Sequence, residues 1–82
     1  MILSWAEKAW EDYLYWQQTD NKTLKRINTL IQAITQNAFE GLGAPLKHNW
    51  SVYWSRRLDR AHRLVYKVTD ETIIVVQCRY HY

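Results

Sequence analysis

The chain of 82 residues has a single cysteine, Cys78, so no internal disulfide can brace it. A lone cysteine in an apolar run reads as a small buried side chain rather than a redox centre. Glycine and proline are nearly absent. Gly41, Gly43 and Pro45 are the only ones, and they fall within five residues. Special backbone conformations are thereby confined to one loop, and the remainder is free to be regular. No apolar run approaches the roughly 18 residues a spanning helix needs, and the amino terminus meets charge at Glu7 and Lys8 instead of forming a leader. These features predict a cytoplasmic protein with no membrane partner. The histidines are scattered at 48, 62 and 81, with no clustered carboxylates or second cysteine, so neither a metal site nor a cofactor is expected. Gly41-Leu42-Gly43 lacks the strand–loop–helix context of a phosphate-binding glycine loop.

Aromatic rings and basic charge are abundant. Five tryptophans and six tyrosines supply large buried areas to a domain whose core is otherwise small. A single domain over residues 1–82 is expected, one that gains stability from a partner, either another copy or a different protein. The net charge of +3 hides an asymmetry. Residues 1–20 hold four acids against Lys8, whereas Ala44–Lys67 holds Lys47, Arg56, Arg57, Arg60, Arg63 and Lys67 against Asp59 alone. A basic face on a small domain suits a polyanion, although an acidic protein partner is served by the same charge.

Ser4 followed by Glu7 has the spacing of a capping box, which predicts a helix beginning there. Ala6, Ala9, Trp10, Tyr13 and Trp16 recur at three- and four-residue steps as its expected buried stripe. Thr19-Asp20-Asn21 should close this helix and cap a second one, buried through Leu24, Ile27, Leu30, Ile31 and Ile34. After the Gly/Pro loop the period becomes two. Tyr53–Leu58 and His62–Val68 read as strands, and a third runs from Thr72 towards the terminus, with Ile2–Leu3 as a candidate edge strand. Short links make the sequential strands antiparallel. The expected class is α+β, a helical hairpin packed on one face of a twisted, mainly antiparallel sheet.

Alternation along the strands puts Leu64, Tyr66 and Val68 on one side and Arg63, Val65 and Lys67 on the other. The open face would then gather Arg57, Arg63 and His81, with Lys47 and His48 at the rim. Guanidinium groups grip phosphate bidentately, and exposed rings stack on splayed bases. RNA backbone cleavage needs a base for the 2′-hydroxyl proton, fixed cations at phosphorus and an acid for the leaving oxygen. Imidazole titrates near neutrality, which suits His81 to the acid role, and Arg63 to charge stabilisation.

Several stretches together resemble the YoeB/Txe-type toxins of the RelE superfamily: Trp10-Glu11-Asp12-Tyr13-Leu14-Tyr15-Trp16, Phe39-Glu40-Gly41-Leu42-Gly43, Pro45-Leu46-Lys47-His48-Asn49, Trp54-Ser55-Arg56-Arg57, His62-Arg63-Leu64-Val65-Tyr66 and the terminal Arg79-Tyr80-His81-Tyr82. The resemblance implies a RelE-like fold, related in plan to microbial ribonucleases. It implies an endoribonuclease that cuts messenger RNA in the ribosomal A site, a YefM-like antitoxin as partner, and frequent homodimers. By position, Arg63, His81 and Tyr82 match the family's catalytic residues, and Lys47, His48, Arg56, Arg57 and Arg79 fall in the stretches associated with RNA. One departure stands out. The family loop usually reads Gly-Lys-Pro-Glu-Pro-Leu-Lys and its glutamate serves as general base. Here Gly43-Ala44-Pro45-Leu46-Lys47 is two residues shorter, with Ala44 in the glutamate's place. The nearest carboxylate is Glu40. Weakened cleavage is therefore expected; the alternative is an inactive homologue that binds and titrates an antitoxin, or, more remotely, a plain RNA-binding module.

Overall fold

The computed structural model describes residues 2–36, 44–45, 53–69 and 72–80. Strand β1 (Ile2–Trp5) leads into helices α1 (Glu7–Thr19) and α2 (Asn21–Gln36), and β2 (Ala44–Pro45), β3 (Tyr53–Arg57), β4 (Arg63–Val68) and β5 (Thr72–Gln77) complete the chain order. The sheet order is β1-β5-β4-β3-β2. Strand β1 lies parallel to β5 and all other neighbours are antiparallel. The α1–α2 hairpin covers one face, because its apolar stripe and one parity of the strands form a single cluster. Ala9, Trp16, Ile27, Leu30 and Ile34 of the helices meet Leu64, Tyr66, Ile73, Val75 and Cys78. The α+β arrangement expected from the period change is the one observed.

The start of α1 differs from expectation. Ser4 belongs to β1, pairing with Ile74, and Ala6 occupies the cap position without a side-chain cap bond. Sheet pairing consumes the Ser4 backbone before it can turn into a helix, and tertiary pairing overrides the local capping signal. Between the helices the cap reading holds. Asp20 Oδ1 accepts the Lys22 and Thr23 amides at 3.1 and 3.2 Å, and Oδ2 accepts from Thr23 Oγ1 at 2.9 Å. These bonds, the Thr23 hydroxyl foremost, hold the Asp20 carboxyl below its ordinary value.

The buried stripe of α1 also differs. Ala9 and Trp16 are buried, but Trp10 is 46% exposed, and Asp12 at 2% takes the interior position. Trp10 instead stacks on Tyr13, with Trp5 edge-on to it. The α2 face is as expected in its three central members, Ile27, Leu30 and Ile34, while Thr23 joins them and Leu24 and Ile31 sit at the margin.

Strand β5 is shorter than the apolar run suggests. It stops at Gln77, and Cys78, Arg79 and Tyr80 lie outside the ladder. A bulge precedes the stop: Tyr66 faces Val75 while Val65 faces Gln77, which leaves Val76 as the extra residue. Such a bulge bends its strand and re-aims the side chains beyond it. The third strand, expected to run from Thr72 towards the terminus, therefore ends before Arg79, which is not in a strand.

Candidate functional site

Register fixes which cations share a face. Arg57 pairs directly with Arg63, Ser55 with Val65, and Tyr53 with Lys67. These positions alternate with Arg56, Leu64 and Tyr66, and Leu64 and Tyr66 are in the core beneath the helices. Arg57, Arg63 and Lys67 therefore occupy the face turned away from the hairpin. Directly opposed side chains on neighbouring strands stand about 5 Å apart at Cβ, so the guanidinium groups at 57 and 63 can address one anion. Like charges so placed repel each other, an arrangement that costs stability unless an anion relieves it.

Both arginines are oriented by local bonds. Arg63 Nε donates to Ser55 Oγ at 3.1 Å, and Ser55 is itself buried. Arg57 Nε donates to the Asp59 carbonyl at 3.3 Å. Asp59 organises the β3–β4 turn: its Oδ1 accepts the Ala61 and His62 amides, each at 2.8 Å. Besides Nε, each guanidinium carries two terminal nitrogens that can donate to a ligand.

The chain's last described residues return to this place. The Tyr80 carbonyl accepts the Arg63 amide at 3.0 Å, and the Tyr80 amide donates to His62 Nδ1 at 2.7 Å. Upstream, Cys78 is gripped by α1. Its amide donates to Asp12 Oδ2 at 3.1 Å, its carbonyl accepts from Trp16 Nε1 at 2.7 Å, and its thiol donates to the Ala9 carbonyl at 3.6 Å. Burial pushes the Cys78 thiol up to about 12, and the neighbouring Asp12 charge adds to the effect. The thiol is an inert core group, as a lone cysteine suggested.

Two other arginines lie elsewhere. Arg56 faces the helices, is 8% exposed, and its Nε has no hydrogen-bond partner among the described residues. The Arg79 guanidinium sits 3.5 Å from the Tyr15 ring centroid on α1 and 4.7 Å from that of Tyr80, a cation held over two π faces. Lys47, His48, His81 and Tyr82 lie outside the described residues. Sequence reasoning passed over Ser55, Asp12 and the role of His62. Ser55 could have been found from its parity with Arg57; Asp12 could not, because an aspartate one step off an aromatic stripe reads as solvent-facing.

A second surface was missed. Leu3, Trp5, Trp10, Tyr13 and Ile31 line an open groove of about 440 Å³ with Asn28 and Gln32. It adjoins the edge strand, where Ile2 is 62% exposed. Among the described residues, no helix is long and apolar enough to cross a membrane, and no group of three His, Cys, Asp or Glu could hold a metal ion.

The model of the YoeB-like toxin of bacterial type II toxin–antitoxin systems matches residues 5–82. The chain belongs to that family. It is 54% identical to Toxin YoeB of Escherichia coli strain K12 over 84 aligned positions, covering all of both chains. It is 50% identical to Toxin YoeB of Synechocystis, covering all of this chain and 98% of the relative. An alignment of 84 positions against 82 residues leaves at least two positions that this chain does not fill. Among solved structures, the YoeB/ParE toxin from Agrobacterium tumefaciens superposes with a TM-score of 0.94 at 42% identity over the whole of both chains. The YoeB chain of a YoeB–YefM complex from Staphylococcus aureus gives 0.88 at 42% identity, covering all of this chain and 98% of that one. The YafQ toxin of E. coli, at 17% identity and a TM-score of 0.80 over 96% of this chain and 91% of that one, shares the fold. The RelE-like architecture of this YoeB-family chain is thus shown on both sequence and structure.

Proposed function

We propose that this YoeB-family chain is a ribosome-dependent endoribonuclease that cuts messenger RNA in the A site by attack of the 2′-hydroxyl on the adjacent phosphorus. The observation that carries the reading is the direct pairing of Arg57 and Arg63 on the open face, with the Tyr80 carbonyl bonded to the Arg63 amide. Arg63, oriented by Ser55, stabilises charge developing on the phosphoryl oxygens. Arg57 holds the neighbouring phosphate. His81, which follows Tyr80 directly in the sequence, protonates the leaving 5′-oxygen, and Tyr82 assists it. Lys47 and His48 serve the RNA backbone, and the charges of Arg56 and Arg79 add to the attraction of the polyanion.

Turnover is reduced by the loop. Ala44 pairs with Ser55, the residue that holds Arg63. A glutamate at this register position would pair with the residue that orients Arg63 and could serve as general base; alanine cannot take a proton. Losing a positioned general base typically costs about 10² to 10⁴ in rate. The same substitution favours the second reading, a homologue retained for binding and titrating an antitoxin. The expected partners are a YefM-like antitoxin, the ribosome and mRNA, and a second copy of the chain. The S. aureus relatives form a YoeB dimer and YoeB–YefM complexes, and the exposed Ile2, Leu3 and Trp10 offer apolar surface of the kind partners cover. The expected compartment is the cytoplasm.

Primer extension on programmed ribosomes tests the proposal. The parent should cleave weakly, Arg63→Ala should lose at least 10²-fold, and a chain with the Gly-Lys-Pro-Glu-Pro-Leu-Lys loop should gain at least tenfold. Cleavage unaffected by Arg63→Ala refutes the enzymatic reading. A parent that stays inactive with the longer loop but still binds the antitoxin favours titration.

A further inference from the structure

We infer that Asp12, Trp16 and His62 are positioning residues that fix the backbone of Cys78 and Tyr80 beside Arg63. The inference rests on the proposed catalytic role of His81. When β5 stops at Gln77, the chain loses its ladder, and terminal residues ordinarily fray. Here each remaining backbone group of Cys78 and Tyr80 finds a dedicated partner. The Cys78 amide and carbonyl are taken by Asp12 and Trp16, at 3.1 and 2.7 Å. The Tyr80 amide and carbonyl are taken by His62 Nδ1 and the Arg63 amide, at 2.7 and 3.0 Å. The anchors interlock, since the His62 ring packs edge-on against Trp16 with centroids 4.8 Å apart.

Core packing does not explain this expenditure. Tyr80 is 54% exposed, so its two bonds bury no apolar side chain. It also sits at φ 70°, in the left-handed region, which a bulky residue holds only where its surroundings over-determine it. What the four bonds determine is direction. The chain is turned at Tyr80 while tied to the backbone of Arg63, the residue that meets the phosphate. Catalytic rate depends steeply on such placement: a misplacement of about 1 Å can cost about 10²-fold. His62 contributes through a lone pair. Nδ1 accepts the Tyr80 amide, so the ring is unprotonated at that nitrogen.

Three variants separate aim from bulk. His62→Phe keeps a ring against Trp16 and removes the acceptor. His62→Asn restores an acceptor at the δ position. Trp16→Phe removes the indole donor to Cys78 and keeps an aromatic core residue, which provides an independent case should His62→Phe fail to fold. Amide hydrogen exchange at Cys78 and Tyr80 reports anchoring without reference to activity, and kcat and KM are measured on programmed ribosomes. In His62→Phe the Tyr80 amide should exchange at least tenfold faster. Its kcat should fall about 10- to 100-fold with KM within about twofold of the parent. His62→Asn should recover kcat to within about threefold, and Trp16→Phe should lower kcat while speeding exchange at both amides. Unchanged Tyr80 exchange in His62→Phe overturns the inference. So does faster exchange with kcat unaltered while His81→Gln is inactive, and in both cases the reading of the site stands. An active His81→Gln, or a parent with no cleavage, sinks the reading of the tail as catalytic and the positioning role with it.

Discussion

Replacing Asp12 by alanine should be among the most damaging changes available to this chain, although Asp12 is a charged residue on a helix. Its carboxylate is 2% exposed and joins two elements distant in sequence, accepting the buried Cys78 amide and pairing with Lys8 one helical turn away. Truncation leaves the Cys78 amide without an acceptor in a site water does not reach. Losing a hydrogen bond to a charged group costs about 1.5–3 kcal/mol. The Lys8 side of the pair is 54% exposed, so solvent screening limits its share to about 1 kcal/mol. The sum is about 2–4 kcal/mol, a large part of the stability a small domain has. For a chain of this size, about 4–8 °C accompany each kcal/mol, so Asp12→Ala should melt roughly 8–32 °C below the parent. Lys8→Ala should fall by only a few degrees. Circular-dichroism melts at pH 7 of the three proteins decide the matter. An Asp12→Ala midpoint within about 3 °C of the parent refutes the assignment. A Lys8→Ala loss as large as that of Asp12→Ala would show that the ion pair, and not the grip on the tail, is what stabilises the buried carboxylate.

Cys78 should make the fold sensitive to alkali. Its thiol is raised from 9.0 to about 12, so below pH 9 both states hold the proton and the full stability is present. Between about 9 and 12 the unfolded chain releases a proton the folded chain keeps, and stability falls by about 1.4 kcal/mol per pH unit. Melts of the parent and Cys78→Ala from pH 8 to 10.5 should show the parent losing more; parallel losses would refute the shift. Asp20 should act in the opposite pH range. Its carboxyl is lowered by its bonds to Thr23 and Lys22, so its contribution is complete above the ordinary carboxylate range and lost as pH falls through the lowered value. Asp20→Ala should melt below the parent at pH 7 and converge with it in acid, and a constant gap down to pH 2 would remove the cap from the account.

Most of the fold was legible because its signals are local and periodic. The α2 stripe at Ile27, Leu30 and Ile34 and the cap at Asp20 are decided within a few residues, and the alternation at Leu64 and Tyr66 is a property of any pleated strand. The misreadings all involve a partner remote in sequence. Ser4 carries a good capping pattern, but β5 claims its backbone. Trp10 fits the helical stripe, but the hairpin's contact with the sheet is centred on Ala9 and Trp16, where Asp12 meets the Cys78 amide. The run from Thr72 onwards continues to read as strand after Gln77, because a bulge at Val76 leaves no mark on hydrophobic alternation.

The site divides in the same way. A charge run counts cations without regard to parity, and parity is what assigns them. Arg56 and Arg57 are adjacent in sequence and stand on opposite faces of the sheet; Arg57 and Arg63 are six apart and stand side by side. The basic stretch therefore overstates the cations on the open face and conceals how close two of them are. That closeness is the more informative fact. Two guanidinium groups directly opposed on neighbouring strands repel each other, and each is further tied by its Nε to Ser55 or the Asp59 carbonyl, so neither is left to swing freely into solvent. A surface selected for stability alone has no reason to hold two positive charges together in this way. An anion bridging them reverses the sign of the interaction, so the repulsion on the free face is turned into attraction for an anion, as the proposed role at a phosphodiester requires.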